Sequence, residues 1–430
     1  MLIWLFVILL FCIFMGIPVI LAIGVVSFVG IVSNHLNPAF FPQKMFTMLD
    51  SFSLLAMPYF IFAGELMSRG GMSKKIVEFA ETVVGHLRGG LGHASVISNI
   101  AFANVSGSST AATVAIGSIL IPAMKERDYK PGFAASLIAT SGTIGPIIPP
   151  SMTMIVYGSM AGVSIGGLFL AGIIPGLLIG IGLMTTIYIH TLLPGFPELK
   201  RTTGSFSLIK VLKSIKNVWV ALLAPVIILG GILSGVFTAT EAGVVACFYS
   251  FIVSTVIYRN VKLSEIPGIL VSSAITTAMV VGVIAVAGSL GWLLTYLDFN
   301  EIVLKMILSI SSNPTIVLLV LIAIMMVLTM FVESLAILVI MIPVITYIST
   351  TFGFDPLHFG LLMVFSAQIG ATTPPVAVLL FVATSIAKTS YDQTIRYCAP
   401  FVITLIVILL ICALFPILST FIPHYFLGAP

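Results

Sequence analysis

The sequence predicts an all-α polytopic membrane protein built from inverted repeats, with two re-entrant helical hairpins and two discontinuous helices. Three observations carry this expectation. The 430 residues are 59% hydrophobic and 7% charged, with a mean hydropathy of +1.23, whereas a soluble domain carries roughly 25% charge. Two apolar stretches are too long for one crossing and are interrupted near their middles. Two further stretches are broken by "GTIGPIIPP" (Gly142–Pro150) and "QIGATTPP" (Gln368–Pro375), which lie at a constant separation.

Charged loops cut the chain into nine candidate crossings, roughly 2–31, 46–67, 131–160, 166–192, 217–236, 240–258, 266–296, 357–388 and 400–422. About 20 apolar residues suffice to cross a bilayer core. The first 43 residues lack Lys, Arg, Asp and Glu. The stretch 2–31 therefore reads as one retained span, since a cleaved signal needs a basic start. Met72–Arg88 is amphipathic and mixed in charge, the pattern of an arm lying on the cytoplasmic surface. Cys12, Cys247, Cys398 and Cys412 show no metal or disulfide spacing and read as packing residues. The net charge of +4 reflects loop cations that act as topology signals rather than nucleic-acid contacts.

Gly89–Met124 holds 36 residues without a charge, and Pro314–Thr350 holds 37 with only Glu333. One helix of that length would reach about 54 Å, against a core of ~30 Å. The first is interrupted by "NVSGSST" (Asn104–Thr110) and the second by "TMFVES" (Thr329–Ser334). Both read as hairpins with their tips near the midplane. Seven Lys/Arg flank the first (Arg69–Arg88 and Lys125–Lys130), and Lys305 alone flanks the second. The positive-inside rule opens the first hairpin to the cytoplasm and the second to the outside. With the basic 193–216 loop also inside, nine spans put the N-terminus in the cytoplasm and the C-terminus in the periplasm.

Adding 225 to a position maps Pro131 to Pro356, Ser141 to Ser366, Gly145 to Gly370, and Pro149-Pro150 to Pro374-Pro375. Upstream of the broken segments the hairpins match in kind, with a spacing that slips by several residues. The chain then divides into N-terminal scaffold helices (1–68) and a first repeat (69–192: arm, hairpin 89–124, broken helix 131–160, helix 166–192). A basic cytoplasmic loop (193–216) and further scaffold helices (217–297) follow. The second repeat (298–422) holds an arm, hairpin 314–350, broken helix 357–388 and helix 400–422, before a tail (423–430).

Unwound backbone in a bilayer leaves carbonyls that cost several kcal/mol each unless satisfied. It persists where carbonyls coordinate a cation or half-helix N-termini face an anion, as in secondary transporters. The hydroxyls and carbonyls of "SGSST" and "GATT" suit a hard cation, and no His–Cys cluster suggests a softer one. Glu333 is either an ion-site or substrate group or a cap for the second limb of its hairpin. Thr238 and Glu241 form a capping-box pattern, and Glu65 and Arg69 an i,i+4 pair. "GVSIG" (Gly162–Gly166) matches a nucleophile elbow but sits in a turn between membrane helices. An intramembrane hydrolase would need a GxGD pair, an HExxH helix or a serine with histidine in reach, none of which the sequence offers. Paired, opposed hairpins also suit alternating access better than a passive channel.

At these residues the chain resembles the large membrane subunit of a TRAP (tripartite ATP-independent periplasmic) transporter, of the sialic acid or C4-dicarboxylate type. The most specific pieces are "GVFTATEAG" (Gly235–Gly243), "GPIIPPSMTMIVYG" (Gly145–Gly158), "GWLLT" (Gly291–Thr295) and "MFVESLAILVIMIP" (Met330–Pro343). The resemblance implies a sodium-driven, elevator-type importer of organic acids in the bacterial inner membrane and no enzyme. It also implies a small four-helix membrane subunit and a periplasmic substrate-binding protein as partners. It places one Na⁺ site at Ser106, Ser108, Gly145, Ile148 and Pro150, and a second at Thr329, Gly370, Ala371 and Val376. Glu333, Thr372, Thr373, Tyr296 and Ser109 are candidates for substrate contact or for tuning the ion sites. Tyr296 stands where several carboxylate importers place an arginine. A stand-alone Na⁺-dicarboxylate carrier of the same hairpin architecture is the alternative.

Overall fold

The computed structural model describes residues 2–200 and 206–428, all of them helix, turn or loop. Part of the basic loop, 201–205 with Arg201, lies outside the described residues. The chain opens with α1 (Leu2–Phe14) and α2 (Val19–Ser33). Leu5 packs against Gly30, so the two helices run back along each other. At about 20 and 23 Å each falls short of a crossing. The single span expected over 2–31 is therefore a fold-back, turned at Gly16 and Pro18. An apolar run does not by itself report a reversal when both limbs are uncharged.

The remaining eight expected crossings each correspond to a helix, a bent helix or a broken helix. Helix α3 (Phe40–Leu49) turns by 66° into a 3-10 turn (Phe52–Leu55) and α4 (Ala56–Arg69). The first arm is α5 (Met72–Val84), which buries Met72, Ile76, Val77 and Ala80 and exposes Lys74 and Glu78. The first hairpin is α6 (Gly90–Ser106) and α7 (Ser109–Glu126), and the first broken helix is α8 (Pro131–Gly142) and α9 (Met152–Ala161). Helices α10 (Ile165–Ala171) and α11 (Ile173–Leu192) continue through Gly172 as one 28-residue span.

In the second half, α12 (Leu208–Leu233) precedes α13 (Ala239–Ile252), which opens on the expected Thr238/Glu241 capping box. A π-helix (Val253–Ile257) extends α13, and α14 (Ile266–Tyr296) crosses back. The second arm is α15 (Phe299–Ile310), bent by 119° from α16 (Pro314–Thr329). Helix α17 (Ser334–Phe352) completes that hairpin, and α18 (Pro356–Gly370) and α19 (Val378–Ala387) form the second broken helix. The final crossing is α20 (Tyr391–Leu414), which starts nine residues before the expected 400. It ends before Phe415, and a separate α21 (Ile417–Leu427) packs against α10.

The 225-residue offset reaches further than the sequence suggests. Helices α7 and α17 begin at 109 and 334, and α8 and α18 at 131 and 356. The second limbs therefore keep register, whereas the first limbs, which start at 90 and 314 and end at 106 and 329, slip by one to two residues rather than the expected several. Substitutions such as Ser108 against Glu333 conceal the common register, although each caps the helix it precedes. Both Pro-Pro bonds of the breaks are cis. The first limbs of the broken helices form the centre of each half: Gly132–Gly142 and His358–Gly370 are buried throughout.

Candidate functional site

Each hairpin tip meets the break of its own repeat. At the first tip the chain reverses at Gly107, whose φ of +58° is a left-handed conformation that glycine adopts without cost. A Cβ there would stand 2.5 Å from the Pro150 carbonyl oxygen. The Met152 N–H, just past the break, donates to Gly107 O at 3.3 Å. Gly145 lies against the Ser108 carbonyl, 3.2 Å from where its Cβ would be. The Ser106 hydroxyl turns back to Ser108 O at 3.4 Å, and Ser108 Oγ accepts the Ala111 N–H at 3.4 Å. Ser106, Ser108, Gly145 and Pro150 are thus brought together. Ile148 contributes backbone only, because its side chain packs on Gly176 of α11. Ser109 is buried, with its carbonyl beside Gly142.

At the second tip, Ala377 N–H donates to Met330 O at 3.4 Å, the counterpart of the Met152–Gly107 bond. Gly370 presses so closely on α16 that a Cβ would overlap Thr329 Oγ1 and Met326 O. The Thr329 hydroxyl donates to Met325 O at 2.7 Å, which leaves its oxygen lone pairs free to face a cation. The Ala371 carbonyl accepts the Leu379 N–H at 3.2 Å. The Val376 carbonyl accepts the Tyr391 hydroxyl at 2.7 Å, and the Val376 side chain is exposed. Thr372 and Thr373 both donate to Ile369 O, at 2.8 and 2.7 Å. Tyr296 is exposed at the end of α14, stacked on Trp292 with centroids 5.7 Å apart, and its described contact is not with a tip.

Glu333 caps α17: its Oε2 accepts the Ala336 N–H at 2.9 Å. The side chain is open to water although protein surrounds the tip. Its second oxygen, Oε1, accepts a long 3.4 Å bond from Ser334.

Sequence reasoning missed the most telling polar groups. Asn99, Thr113 and Gln368 are at most 1% exposed, and Asn99 Oδ1, Thr113 Oγ1 and Gln368 Oε1 have no hydrogen-bond partner among the described residues. A buried acceptor left unpaired costs about 1–3 kcal/mol. The Asn99 amide donates to Ser141 Oγ at 2.9 Å on α8, and Gln368 donates to Ser334 at 3.3 Å across the second tip. Thr113 faces Gly142. The signal was present as an amide inside the apolar "VISNIAF" and at the start of "QIGATTPP". All three of these unpaired atoms are oxygens, and no group of three or more His, Cys, Asp or Glu forms among the described residues. This donor chemistry fits a hard cation.

Residues 2–418 match the family described as the tripartite ATP-independent periplasmic transporter, DctM component. The chain belongs to this family. It is 34% identical over 416 residues to the sialic acid TRAP transporter large permease protein SiaM of Vibrio cholerae, covering 96% of both chains. It is 38% identical over 382 residues to the C4-dicarboxylate TRAP transporter large permease protein DctM of Pseudomonas aeruginosa, covering 89% of this chain and 88% of that one. The DctM-family relatives are named as permeases, not as enzymes. The YdaH transporter of Alcanivorax borkumensis, a solved structure, superposes with a TM-score of 0.62 over 90% of this chain and 89% of that one. At 12% identity that likeness speaks for the fold alone. This DctM-family permease is accordingly an all-α, multi-pass membrane subunit of a TRAP transporter.

Proposed function

We propose that this permease imports an organic acid anion of the sialic acid or C4-dicarboxylate class, coupled to Na⁺, by elevator-type alternating access. The carrying observation is the matched pair of tip-to-break bonds, Met152 to Gly107 and Ala377 to Met330, next to buried oxygens without partners. The hairpins and broken helices form the moving unit, and α2–α4 and α12–α14 the scaffold. Na⁺ at each tip neutralises oxygens that otherwise repel one another and holds the hairpin against its break. Neither hairpin tip nor either break contains Lys or Arg, and Lys125 in the last turn of α7 donates to Ala387 O at 3.0 Å. The substrate carboxylate is therefore met by bound Na⁺, helix N-termini and the hydroxyls of Ser109, Thr372 and Thr373. Glu333, already bound as a cap, offers its weakly bonded Oε1 to the ion or the substrate.

A small four-helix membrane subunit and a periplasmic binding protein complete the system in the bacterial inner membrane. With α1 and α2 folded back, the N-terminus returns to the side on which α2 ends. The basic 69–88 stretch is cytoplasmic, and the bent pair of α3 with the 3-10 turn and α4 is the one crossing between them. We therefore place the N-terminus outside together with the C-terminus, revising the cytoplasmic N-terminus expected from nine crossings. A reporter active only in the periplasm, fused ahead of residue 1, is expected to give signal, and an inactive reporter would restore the earlier orientation.

The decisive measurement is uptake of labelled acids into proteoliposomes, with and without an inward Na⁺ gradient. Uptake that needs Na⁺, the small subunit and the binding protein supports the reading. Uptake by this chain alone would make it a stand-alone carrier, and uptake indifferent to Na⁺ would remove the coupling.

A further inference from the structure

On the side of the basic loops, the start of α5 and the end of the π-helix with the turn after it border a cavity of about 410 Å³ that the transport machinery does not use. Its lining includes Gly71, Lys74, Lys75, Glu78, Tyr258 and Asn260. Lys75 Nζ lies 4.8 Å from the centre of the Tyr258 ring, and the Asn260 amide donates to Gly70 O at 2.8 Å. The walls are thus fixed by contacts of their own. Helix α5 is 13 residues long and opens on Gly71 with no side-chain cap, so its positive end borders the cavity.

The surrounding charge is mostly positive. Arg69 pairs with Glu65, whereas Lys74, Lys75, Arg259 and Lys262 form no ion pair among the described residues. Of the nearby acids, Glu78 lines the cavity, and Glu265 accepts the Lys262 backbone N–H at 2.9 Å. Beside this basic pocket the surface turns apolar: Val256, Ile257 and Leu263 are 59%, 50% and 70% exposed. Helices α4 and α13 both end here, where their apolar sequence gives way to the basic loops. A soluble phosphate would use the lysines and leave the apolar shelf bare, whereas a phospholipid uses both.

We propose that this pocket binds the phosphodiester headgroup of an anionic phospholipid of the cytoplasmic leaflet, with its acyl chains on Val256, Ile257 and Leu263. Clusters of cations just cytoplasmic of a transmembrane helix attract such lipids. The bound lipid would hold the start of the arm that leads into the first hairpin. The site is independent of the sodium reading.

The test is native mass spectrometry of the full chain, comparing wild type with the double variant Lys74→Gln/Lys75→Gln. A second double variant, Lys210→Gln/Lys213→Gln, removes equal charge from the same side outside the pocket. Each lysine near an anionic surface is worth roughly 5-fold, so retained phosphatidylglycerol is expected to fall by about 25-fold in the first pair and little in the second. In nanodiscs, phosphatidylglycerol is expected to raise the Tm of wild type above its value in phosphatidylcholine, a gain lost in the Lys74/Lys75 pair. Equal losses in both pairs, or no loss in either, would overturn the site. Displacement of the lipid by millimolar glycerol phosphate, with no Tm gain from phosphatidylglycerol, would reassign the pocket to a soluble phosphoester.

Discussion

Gly370→Ala is expected to lower uptake about tenfold or more while leaving the protein inserted and folded. The added methyl would occupy the space of Thr329 Oγ1 and Met326 O. A threonine rotamer can yield, but Met326 O belongs to the backbone of α16 and cannot move without shifting the helix. Overpacking of this kind costs ~1–3 kcal/mol in a well-packed interior. The cheapest relief is to part α16 from α18, which opens the second tip. The initial rate should therefore fall at least tenfold, since each 1.4 kcal/mol is about tenfold in an equilibrium. Gly107→Ala tests the other half: it combines a left-handed φ with a carbonyl 2.5 Å from the new methyl. Gly268→Ala is the control, because nothing lies within 4 Å of its added methyl. Wild-type uptake by Gly370→Ala would show that this close approach does not hold the site together.

The architecture was legible because polar backbone and charge are costly in lipid. Two 36- and 37-residue apolar runs cannot be single crossings, and the prolines at 149–150 and 374–375 cannot lie in regular helix interiors. These constraints survive substitution, so hairpins and breaks appear where periodicity places them. The fold-back of α1 and α2 was not legible, since a run without charge satisfies either one crossing or two short limbs. Only the packing of Leu5 on Gly30 distinguishes them.

Within the site, glycine and hydroxyl motifs marked the places where backbones meet, as at Gly145 with Ser108 and Gly370 with Thr329. The motif could not tell which carbonyls are already occupied. Val376 O is taken up by Tyr391 from α20, and Ala371 O by Leu379. Nor could it show that Asn99, from the first limb of the hairpin, reaches Ser141 across to α8. Such pairs depend on how helices pack, and single-helix patterns carry little of that information.

Thr329→Val and Ser108→Ala are each expected to raise the Na⁺ concentration for half-maximal uptake about tenfold, the loss of one oxygen ligand worth ~1–1.5 kcal/mol. The two substitutions fail for different reasons. Val keeps the shape of Thr329, a residue 1% exposed, and removes only its hydroxyl, whose one proton is committed to Met325 O. Ser108→Ala also removes the cap of α7, worth about 1 kcal/mol of helix stability. Ser108→Thr restores the cap and an oxygen together and should recover both properties. Thermal stability separates the effects without any transport assay. A ligand that binds only the folded chain stabilises it in proportion to the logarithm of its concentration over Kd. The Na⁺-induced rise in Tm should shrink in Thr329→Val with little change in Na⁺-free Tm, whereas Ser108→Ala should lower both. On the proposed reading of one ion bound at each tip, the double variant should lose nearly the whole Na⁺ response. An undiminished Tm rise in the double variant would mean that sodium, if it binds at all, binds away from these tips.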